Sequence, residues 1–272
     1  MRDYLNDILN IISPTRTEGV VVPIGDPRYE AADGSTVTAQ GGLVAAVFTY
    51  TPGVRTSWTK QTYYRGRGRV PTLSFNGTTE YLIAPDNAAW TRSDLPFSVF
   101  AWCNVTTPAV IGEIFAKYDD SVGGAEEWKL DVTSTNTLVL TFRDATVGVT
   151  TFRTSNAAVP AGRLAFFAAT YDGTGGAIAA NNIKLYVNGA LIASTATNNA
   201  AFVTLRNTLG GVTIGVKGAP GIPARWFTGS MLGSAPGPGF STLELTAVQI
   251  AAIYQIGLEA QRNFGLVTRI LR

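Results

Sequence analysis

Residues 163–195 read RLAFFAATYDGTGGAIAANNIKLYVNGALIAST, and this stretch decides the fold. An aromatic, apolar run at 164–171 is followed by a polar loop and then by a run at 183–187 that alternates apolar with polar residues. Alternation with a period of two is typical of a half-buried strand. Asn188-Gly189 comes next, and both residue types tolerate the positive φ angles of a two-residue hairpin turn. The stretch therefore predicts a strand, a loop, a second strand, a tight turn and a third strand.

The motifs YDG and IKLYVNG within this stretch resemble the central hairpin of concanavalin A-like, or laminin-G-like, jelly-roll domains. Five further segments resemble, in order, the opening strand, the second strand, two late strands and the closing helix of that family: 73–84, 97–105, 212–215, 227–233 and 241–257. The resemblance implies an all-β, two-sheet antiparallel jelly-roll sandwich with a short C-terminal helix. The capping pattern predicts that this helix starts after Ser241 or Thr242, with Thr246 as a second candidate start, and that Gly257 ends it. The resemblance implies no single function, because this fold carries lectins, hydrolases and structural modules.

The extent of the resemblance divides the chain into three segments. Residues 1–69 form an N-terminal helix and extension, residues 70–258 the jelly-roll domain, and residues 259–272 a basic amphipathic tail. Apolar runs at 43–50 and 58–64 predict strands within the extension. These strands add to the main sheets, form a small subdomain or make an arm that packs on a partner, and the sequence leaves all three arrangements open.

Both ends of the chain carry apolar residues that must be covered. Helical spacing predicts a helix over residues 2–12, which Ser13-Pro14 ends. Its apolar face docks either on its own domain or on a neighbouring chain. The last residues are apolar with three arginines interspersed, which favours a docked strand or a subunit contact over membrane binding. The predicted partner contacts at the two ends are Tyr4, Ile8, Ile12, Ile270 and Leu271.

The composition narrows the classes of function. The 272 residues carry a net charge of +2, which gives no general attraction to nucleic acid, and no apolar run is long enough to span a membrane. The chain has no histidine, which excludes Ser-His-Asp and Cys-His catalysis and every histidine-containing metal site. Cys103 lies in an apolar strand and is predicted to be a buried small hydrophobe. The start, MRDYLNDILNII, differs from a secretory signal.

An arginine-glycine motif follows two tyrosines in the extension. Arg65, Arg67 and Arg69 alternate with glycine, a pattern that could contact nucleic acid or phosphate. Three arginines without a broader basic patch instead favour a solvated loop or an acidic protein partner. We therefore predict that these arginines bind a partner protein, with no direct contact to nucleic acid.

A glycosidase needs two carboxyl groups that face each other across the sugar bond. Hydrolases of the resembled family place them on one strand, as Glu-x-Asp-x-Glu. The nearest match here is 126–131, EEWKLD, in which Glu127 and Asp131 share a strand face but Lys129 replaces the middle acid. The flanking residues indicate an ordinary edge strand with solvated charges. We therefore predict no enzymatic activity.

Carbohydrate binding would use an exposed aromatic platform beside polar groups. Trp90 and Trp226 lie in loop-like sequence and are the candidates for this platform. Asp172 and Asn188, in the loops of the central hairpin, are the candidate polar neighbours.

A calcium ion is the one metal that the loops suggest. Calcium sites use clustered Asp, Asn and backbone oxygens, and Asp119 with Asp120 are the candidate ligands. No EF-hand spacing occurs, and the sequence predicts no other cofactor.

These observations favour a structural or interaction role. A low-charge β chain rich in Thr, Ala and Gly is similar in character to virion proteins of tailed bacteriophages. We predict a non-enzymatic accessory virion protein, such as a capsid decoration, head or tail protein, assembled in the host cytoplasm. Its expected partners are the major capsid protein and further copies of itself. The alternative is a carbohydrate-binding, lectin-like adhesion module that recognises cell-surface glycans.

Overall fold

The computed structural model describes residues 4–26, 28–53, 60–65, 68–106, 111–119, 124–218, 225–233 and 236–270. For residues 60–65, 68–71 and 263–270 it describes the backbone alone. Two antiparallel β-sheets pack face to face, and helices cover the outer face of one of them. The predicted all-β sandwich with a C-terminal helix is confirmed.

In the described part of the chain, sheet one has ten strands, numbered along the chain: β1 (Gly19–Val21), β3 (Gln40–Gly41), β5 (Lys60–Arg65), β6 (Gly68–Asn76), β8 (Phe97–Val105), β13 (Ala165–Tyr171), β14 (Ile183–Val187), β15 (Ala190–Leu191), β18 (Thr228–Leu232) and β19 (Gly239–Ser241). Its main order is β15-β14-β13-β8-β18-β6-β5. Strand β19 also pairs with β8. Strand β1 pairs with β19 on one side and with β3 on the other.

Among the described residues, sheet two has nine strands: β2 (Thr36–Thr38), β4 (Val47–Thr51), β7 (Tyr81–Ala84), β9 (Gly112–Asp119), β10 (Ala125–Val132), β11 (Leu138–Asp144), β12 (Val149–Ser155), β16 (Ser194–Thr197) and β17 (Val212–Ile214). Their order is β16-β12-β11-β10-β9-β17-β7-β4-β2. Strands β9, β10 and β17 are therefore interior strands.

The central hairpin has the predicted form. Strand β14 pairs with β13 on one side and with β15 on the other, and Val187 lies opposite Ala190. Asn188 and Gly189 occupy the turn with φ angles of 51° and 80°. Two consecutive positive φ angles are what a type I′ turn requires, which is why Asn-Gly predicts it.

The period-two pattern of β8 divides the core into two layers. Phe97, Val99 and Ala101 point between the sheets, where Phe97 lies 5.7 Å from Trp128 of sheet two, measured between ring centroids. Phe100 and Trp102 point to the outer face of sheet one and pack under the helices. Cys103 is buried in the inner layer, and burial raises the pKa of its thiol.

Helix α1 (Tyr4–Ile12) covers its own domain. Tyr4, Ile8 and Ile12 are buried, and the two isoleucines belong to the cluster on the outer face of sheet one. The helix also packs against the C-terminal helix. The prediction that Tyr4, Ile8 and Ile12 bind a partner is therefore wrong, because this chain itself supplies the apolar surface that they need.

The N-terminal extension adds strands to both sheets, which is the first of the three arrangements that the sequence leaves open. Strands β1, β3 and β5 join sheet one, and β2 and β4 join sheet two. The strand predicted at 43–50 is β4, and the one predicted at 58–64 is β5. Most of the extension is thus part of the sandwich rather than an assembly arm.

Helix α2 (Ala247–Ile270) is longer than predicted. Thr246 caps it, since its N–H donates to Gln249 Oε1 at 2.9 Å and the Gln249 N–H donates to Thr246 Oγ1 at 3.3 Å. The predicted first start, at Ser241, is wrong, because this residue ends β19 and its hydroxyl donates to the Ile12 carbonyl. The helix continues to Ile270, so residues 259–270 form no separate tail.

Gly257 lies inside α2, so the prediction that it ends the helix is wrong. A Cβ atom at this position would lie 2.4 Å from Trp102 Nε1 and 3.1 Å from Pro236 Cδ. The glycine therefore serves close packing between α2 and sheet one rather than helix termination.

We expect Gly257→Ala to destabilise the protein. Alanine is the better helix former by about 1 kcal/mol, but here its methyl group overlaps the buried indole of Trp102. Overpacking of this kind lowers the free energy of unfolding by about 1–3 kcal/mol, as chemical denaturation would measure. Val248→Ala, at a position 79% exposed on the same helix, is the control and should cost nothing. A Gly257→Ala protein as stable as the parent would contradict this packing.

Candidate functional site

A buried ion pair connects the two central strands of sheet two. Lys117 of β9 donates to Glu127 Oε1 of β10, and both side chains are fully buried. A register shift between Glu126 and Trp128 places Glu127 outside the regular ladder. A bulge of this kind re-aims a side chain, and here it accompanies the contact between Glu127 and the lysine.

The ion pair also holds the loops at this end of the sandwich. The Thr208 N–H and hydroxyl lie 2.8 and 2.9 Å from Glu127 Oε1, and the Thr208 carbonyl accepts from Lys117 Nζ at 2.9 Å. The Thr91 hydroxyl lies 3.1 Å from the same carboxylate oxygen. Burial raises the pKa of the Glu127 carboxyl, although Lys117 and Thr208 favour its ionised form.

Asp86 links this network to a surface cavity. Its Oδ1 atom lies 3.0 Å from Lys117 Nζ, and its side chain is 27% exposed. The cavity has a volume of about 370 Å³ and opens beside strands β4 and β7. We call it the β4–β7 cavity; its lining residues are Val44, Ala45, Ala46, Val47, Thr49, Ala84, Pro85, Asp86, Asn87 and Trp90.

The wall of the β4–β7 cavity is mostly apolar with a few polar groups. Thr49 and Asn87 are exposed, and Asn87 Oδ1 accepts from the Ala89 N–H at the start of a short 3-10 helix. Trp90 ends that helix and forms the inner wall. Its carbonyl accepts from Trp128 Nε1 at 3.1 Å, which fixes the segment against β10. Its own indole N–H is buried without an acceptor among the described residues.

A second charged cluster lies on the same pair of strands. Lys129 Nζ of β10 donates to Glu113 Oε1 of β9 at 2.9 Å and to Asp131 Oδ2 at 3.2 Å. The guanidinium of Arg225 lies 3.6 Å from Asp131 and 3.9 Å from Glu113, and it is partly exposed. Burial and the Asp131 charge raise the pKa of Glu113 to about 7, against the opposing effect of Lys129 and Arg225.

The family of this chain is shown by its sequence match. A family model described as the concanavalin A-like lectin/glucanases superfamily matches residues 76–232, more than half of the chain. The chain belongs to this superfamily. A comparison with curated proteins gives no significant match.

Solved structures with the same fold have low sequence identity. The binding domain of Paraclostridial Mosquitocidal Protein 1 is 12% identical, with a TM-score of 0.57, and the match covers 88% of this chain and 51% of that one. A botulinum neurotoxin type C, whose cell entry depends on two ganglioside molecules, is 13% identical, with a TM-score of 0.57 and coverages of 93% and 53%. This chain therefore spans about half the length of these toxin structures.

A third similar structure matches over nearly its whole length. Domain 4 of AbnA, a GH43 extracellular arabinanase from Geobacillus stearothermophilus, was solved in complex with arabinotriose. It is 15% identical, with a TM-score of 0.52, and the match covers 88% of this chain and 98% of that one. At such identities these likenesses show the sandwich fold of the superfamily.

The structure separates the four residues predicted to bind carbohydrate. Trp90 is fully buried, so the prediction of an exposed platform there is wrong. Trp226 is half-buried and packs edge-on against Tyr81, at 5.6 Å between centroids. Asp172 is exposed and accepts from the Thr174 N–H. Asn188 lies at the other end of β14, where its side chain accepts from the Phe166 N–H.

The interpretation of Glu127 and Asp131 as solvated charges on an edge strand is wrong. Strand β10 lies between β9 and β11, and the two carboxylates are 0% and 2% exposed. Each contacts a different lysine, and a register shift between Leu130 and Asp131 separates their surroundings. The sequence motif EEWKLD thus belongs to two buried ion clusters.

The candidate calcium ligands are placed as follows. Asp119 is buried at the end of β9, opposite Ala125, and Asp120 lies outside the described residues. Among the residues that the structure describes, no three acidic or cysteine side chains form a group that could hold a metal ion.

For the other residues that were predicted to contact a partner, the structure describes either the backbone alone or nothing. Arg65 and Arg69 pair with Gly68 and Tyr64 in the β5–β6 hairpin, and Ile270 ends α2. Arg67 and Leu271 lie outside the described residues. Of the helices in the described part of the chain, none has the length and hydropathy to cross a membrane.

Proposed function

We propose that this chain is a non-enzymatic carbohydrate-binding module and that a saccharide binds in the β4–β7 cavity. The observation that carries the proposal is the cavity itself. Its volume of about 370 Å³ lies within the range of small-molecule sites, and it combines an apolar wall with Asp86, Asn87 and Thr49. Membership of a lectin and glucanase superfamily supports a saccharide as the ligand.

The lining suits the two kinds of surface that a sugar ring presents. The C–H groups of the ring can pack on the small apolar side chains of residues 44–47 and Pro85. Ring hydroxyls can hydrogen-bond to the Thr49 hydroxyl and to the Asp86 carboxylate. The arabinotriose complex of the arabinanase domain lends support from a protein of the same fold.

The state of the buried carboxylates supports a role without catalysis. Glycoside hydrolysis needs one carboxyl group to donate a proton and a second to act as base or nucleophile at the same bond. Glu127 is held by Lys117 and Thr208, and Glu113 shares Lys129 with Asp131. All three side chains are nearly or fully buried, so a saccharide in the β4–β7 cavity does not contact the Glu113 pair.

A blocking substitution tests the site. Val47 lines the cavity and is 44% exposed, and Val47→Trp would fill the cavity with an indole ring. We expect at least a ten-fold loss of affinity, equivalent to about 1.4 kcal/mol, for whichever saccharide a glycan array selects, measured by titration calorimetry.

Leu191→Trp is the matched control for this substitution. Leu191 is an exposed apolar strand residue, 59% exposed, but it lies on β15 of the other sheet. It should leave binding unchanged. Equal loss in both variants, or no loss in Val47→Trp, would place the saccharide elsewhere.

The second candidate function is the accessory virion protein, which stays a prediction. Val248 on α2 is 79% exposed and Leu209 is 84% exposed, and such large exposed apolar side chains favour contact with another chain. Such a protein would bind the major capsid protein and copies of itself, and the same module could also recognise cell-surface glycans. The solution mass of the full chain tests self-association, with Val248→Asp as the variant expected to weaken it.

A further inference from the structure

We infer that the ligand of the β4–β7 cavity is an uncharged saccharide, and that Asp86 excludes sialylated, sulfated and uronic acid sugars. This inference rests on the proposed function and names the ligand class of the same site. It follows from the charges around the cavity and from the groups that already contact the ammonium group of Lys117.

Lys117, the cation that contacts Asp86, is not available to a ligand. Lys117 is fully buried, and its ammonium group contacts Glu127, Asp86 and the Thr208 carbonyl. The ammonium group donates to Glu127 and to the Thr208 carbonyl, and Asp86 Oδ1 lies 3.0 Å from the same nitrogen, so two carboxylates already surround it. An anionic sugar would have to displace a carboxylate to reach this lysine.

Asp86 gives the cavity its charge. It is the one charged residue among the ten that line the described cavity. Counting Lys117 and the two carboxylates that contact it, the network carries two negative charges and one positive charge. A sugar carboxylate or sulfate placed beside Asp86 would meet a like charge in a partly desolvated site, where repulsion is stronger than in water.

A neutral sugar meets no such repulsion and can use the same group. A carboxylate accepts hydrogen bonds from hydroxyl groups, and bonds to a charged acceptor are stronger than those to a neutral one. The cavity thus offers one charged acceptor beside an apolar wall.

The test uses the full chain on a glycan array in which each neutral oligosaccharide is accompanied by its sialylated, sulfated or uronic acid counterpart. We expect the neutral member of each bound pair to bind at least about ten-fold more tightly. Because no ion pair forms, the affinity for the neutral member should be the same at low and high salt.

Asp86→Asn tests the assignment to this residue. The amide retains the shape of the side chain without its charge, so the preference for neutral sugars should fall by several-fold. Glu244→Gln, at a carboxylate that is also 27% exposed but does not line the cavity, should leave the preference unchanged. Thermal unfolding of both variants confirms that they are folded, and the salt dependence of the parent gives a result that needs no variant.

The outcomes separate this inference from the proposed function. Tighter binding of the acidic members, lost in Val47→Trp, would overturn the inference and leave saccharide binding in place. An unchanged preference in Asp86→Asn would overturn the role of Asp86. Binding to no saccharide on the array would overturn both the inference and the proposed function.

Discussion

Replacing Lys117 with alanine is expected to lower the free energy of unfolding by about 3–5 kcal/mol. The lysine is fully buried, and its removal leaves the Glu127 carboxylate in the interior without its cation. It also removes the donor to the Thr208 carbonyl and the contact to Asp86. An uncompensated buried charge costs far more than the net stabilisation that a salt bridge gives, because the remaining group keeps its desolvation penalty.

Two comparisons make this prediction specific. The double variant Lys117→Met with Glu127→Leu removes both charges and should recover most of the lost stability, since an apolar pair of similar volume often replaces a buried ion pair at little cost. Lys184→Ala breaks an exposed pair with Glu244 and should cost less than about 1 kcal/mol. Chemical denaturation of the three variants provides the values. A Lys117→Ala protein no less stable than Lys184→Ala would contradict the prediction.

The Lys117→Ala substitution should affect saccharide binding as well as stability. Lys117 contacts Asp86, and Asp86 lines the β4–β7 cavity. The buried pair therefore fixes the position of a residue that we propose to contact the ligand. Saccharide affinity in Lys117→Ala should fall in the fraction that remains folded, whereas in Lys184→Ala it should not change.

The sequence predicts the sandwich because its local signals and its tertiary contacts agree. Strand β8 has apolar residues on both of its faces, because one face packs against sheet two and the other packs against the helices. Asn188-Gly189 predicts its turn because few other residue pairs adopt two positive φ angles. Signals of this kind act over a few residues and need no knowledge of distant segments.

The site could not be predicted in the same way, because its members are far apart in the chain. Lys117 and Thr208 are separated by 91 positions, and Glu127 and Thr208 by 81. A Glu or Lys on a strand has the same sequence pattern whether water or a loop covers it. The burial of Glu127, Lys117 and Trp90 was therefore decided by loop placement, for which the sequence has no local signal.

The termini show how packing overrides local preference. Glycine disfavours the helix interior, so Gly257 predicted an end, but α2 continues because Trp102 requires a residue without a side chain at that point. The apolar face of α1 was equally consistent with a partner or with its own domain. The helix packs on its own domain because the outer face of sheet one presents the apolar side chains of Phe100, Trp102 and Phe166.

The stability of the protein is expected to fall as the pH rises from about 4.5 to about 7, and Glu113 should account for part of this fall. Burial and Asp131 raise the pKa of Glu113 from its ordinary value of 4.5 to about 7. Between these values the folded protein binds more protons than the unfolded chain. The free energy of unfolding therefore decreases with increasing pH in this window and is independent of Glu113 above it.

The Glu113→Gln variant isolates this contribution. Glutamine remains neutral and can still accept from Lys129, which donates to Glu113 at 2.9 Å in the parent. One unit of pKa shift corresponds to about 1.4 kcal/mol, so the two unfolding curves should separate by up to a few kcal/mol across the window. Denaturant titrations at several pH values from 4.5 to 8 measure the difference. Parallel curves for the parent and Glu113→Gln would mean that Glu113 is ionised in the folded protein throughout, with Lys129 and Arg225 outweighing its burial.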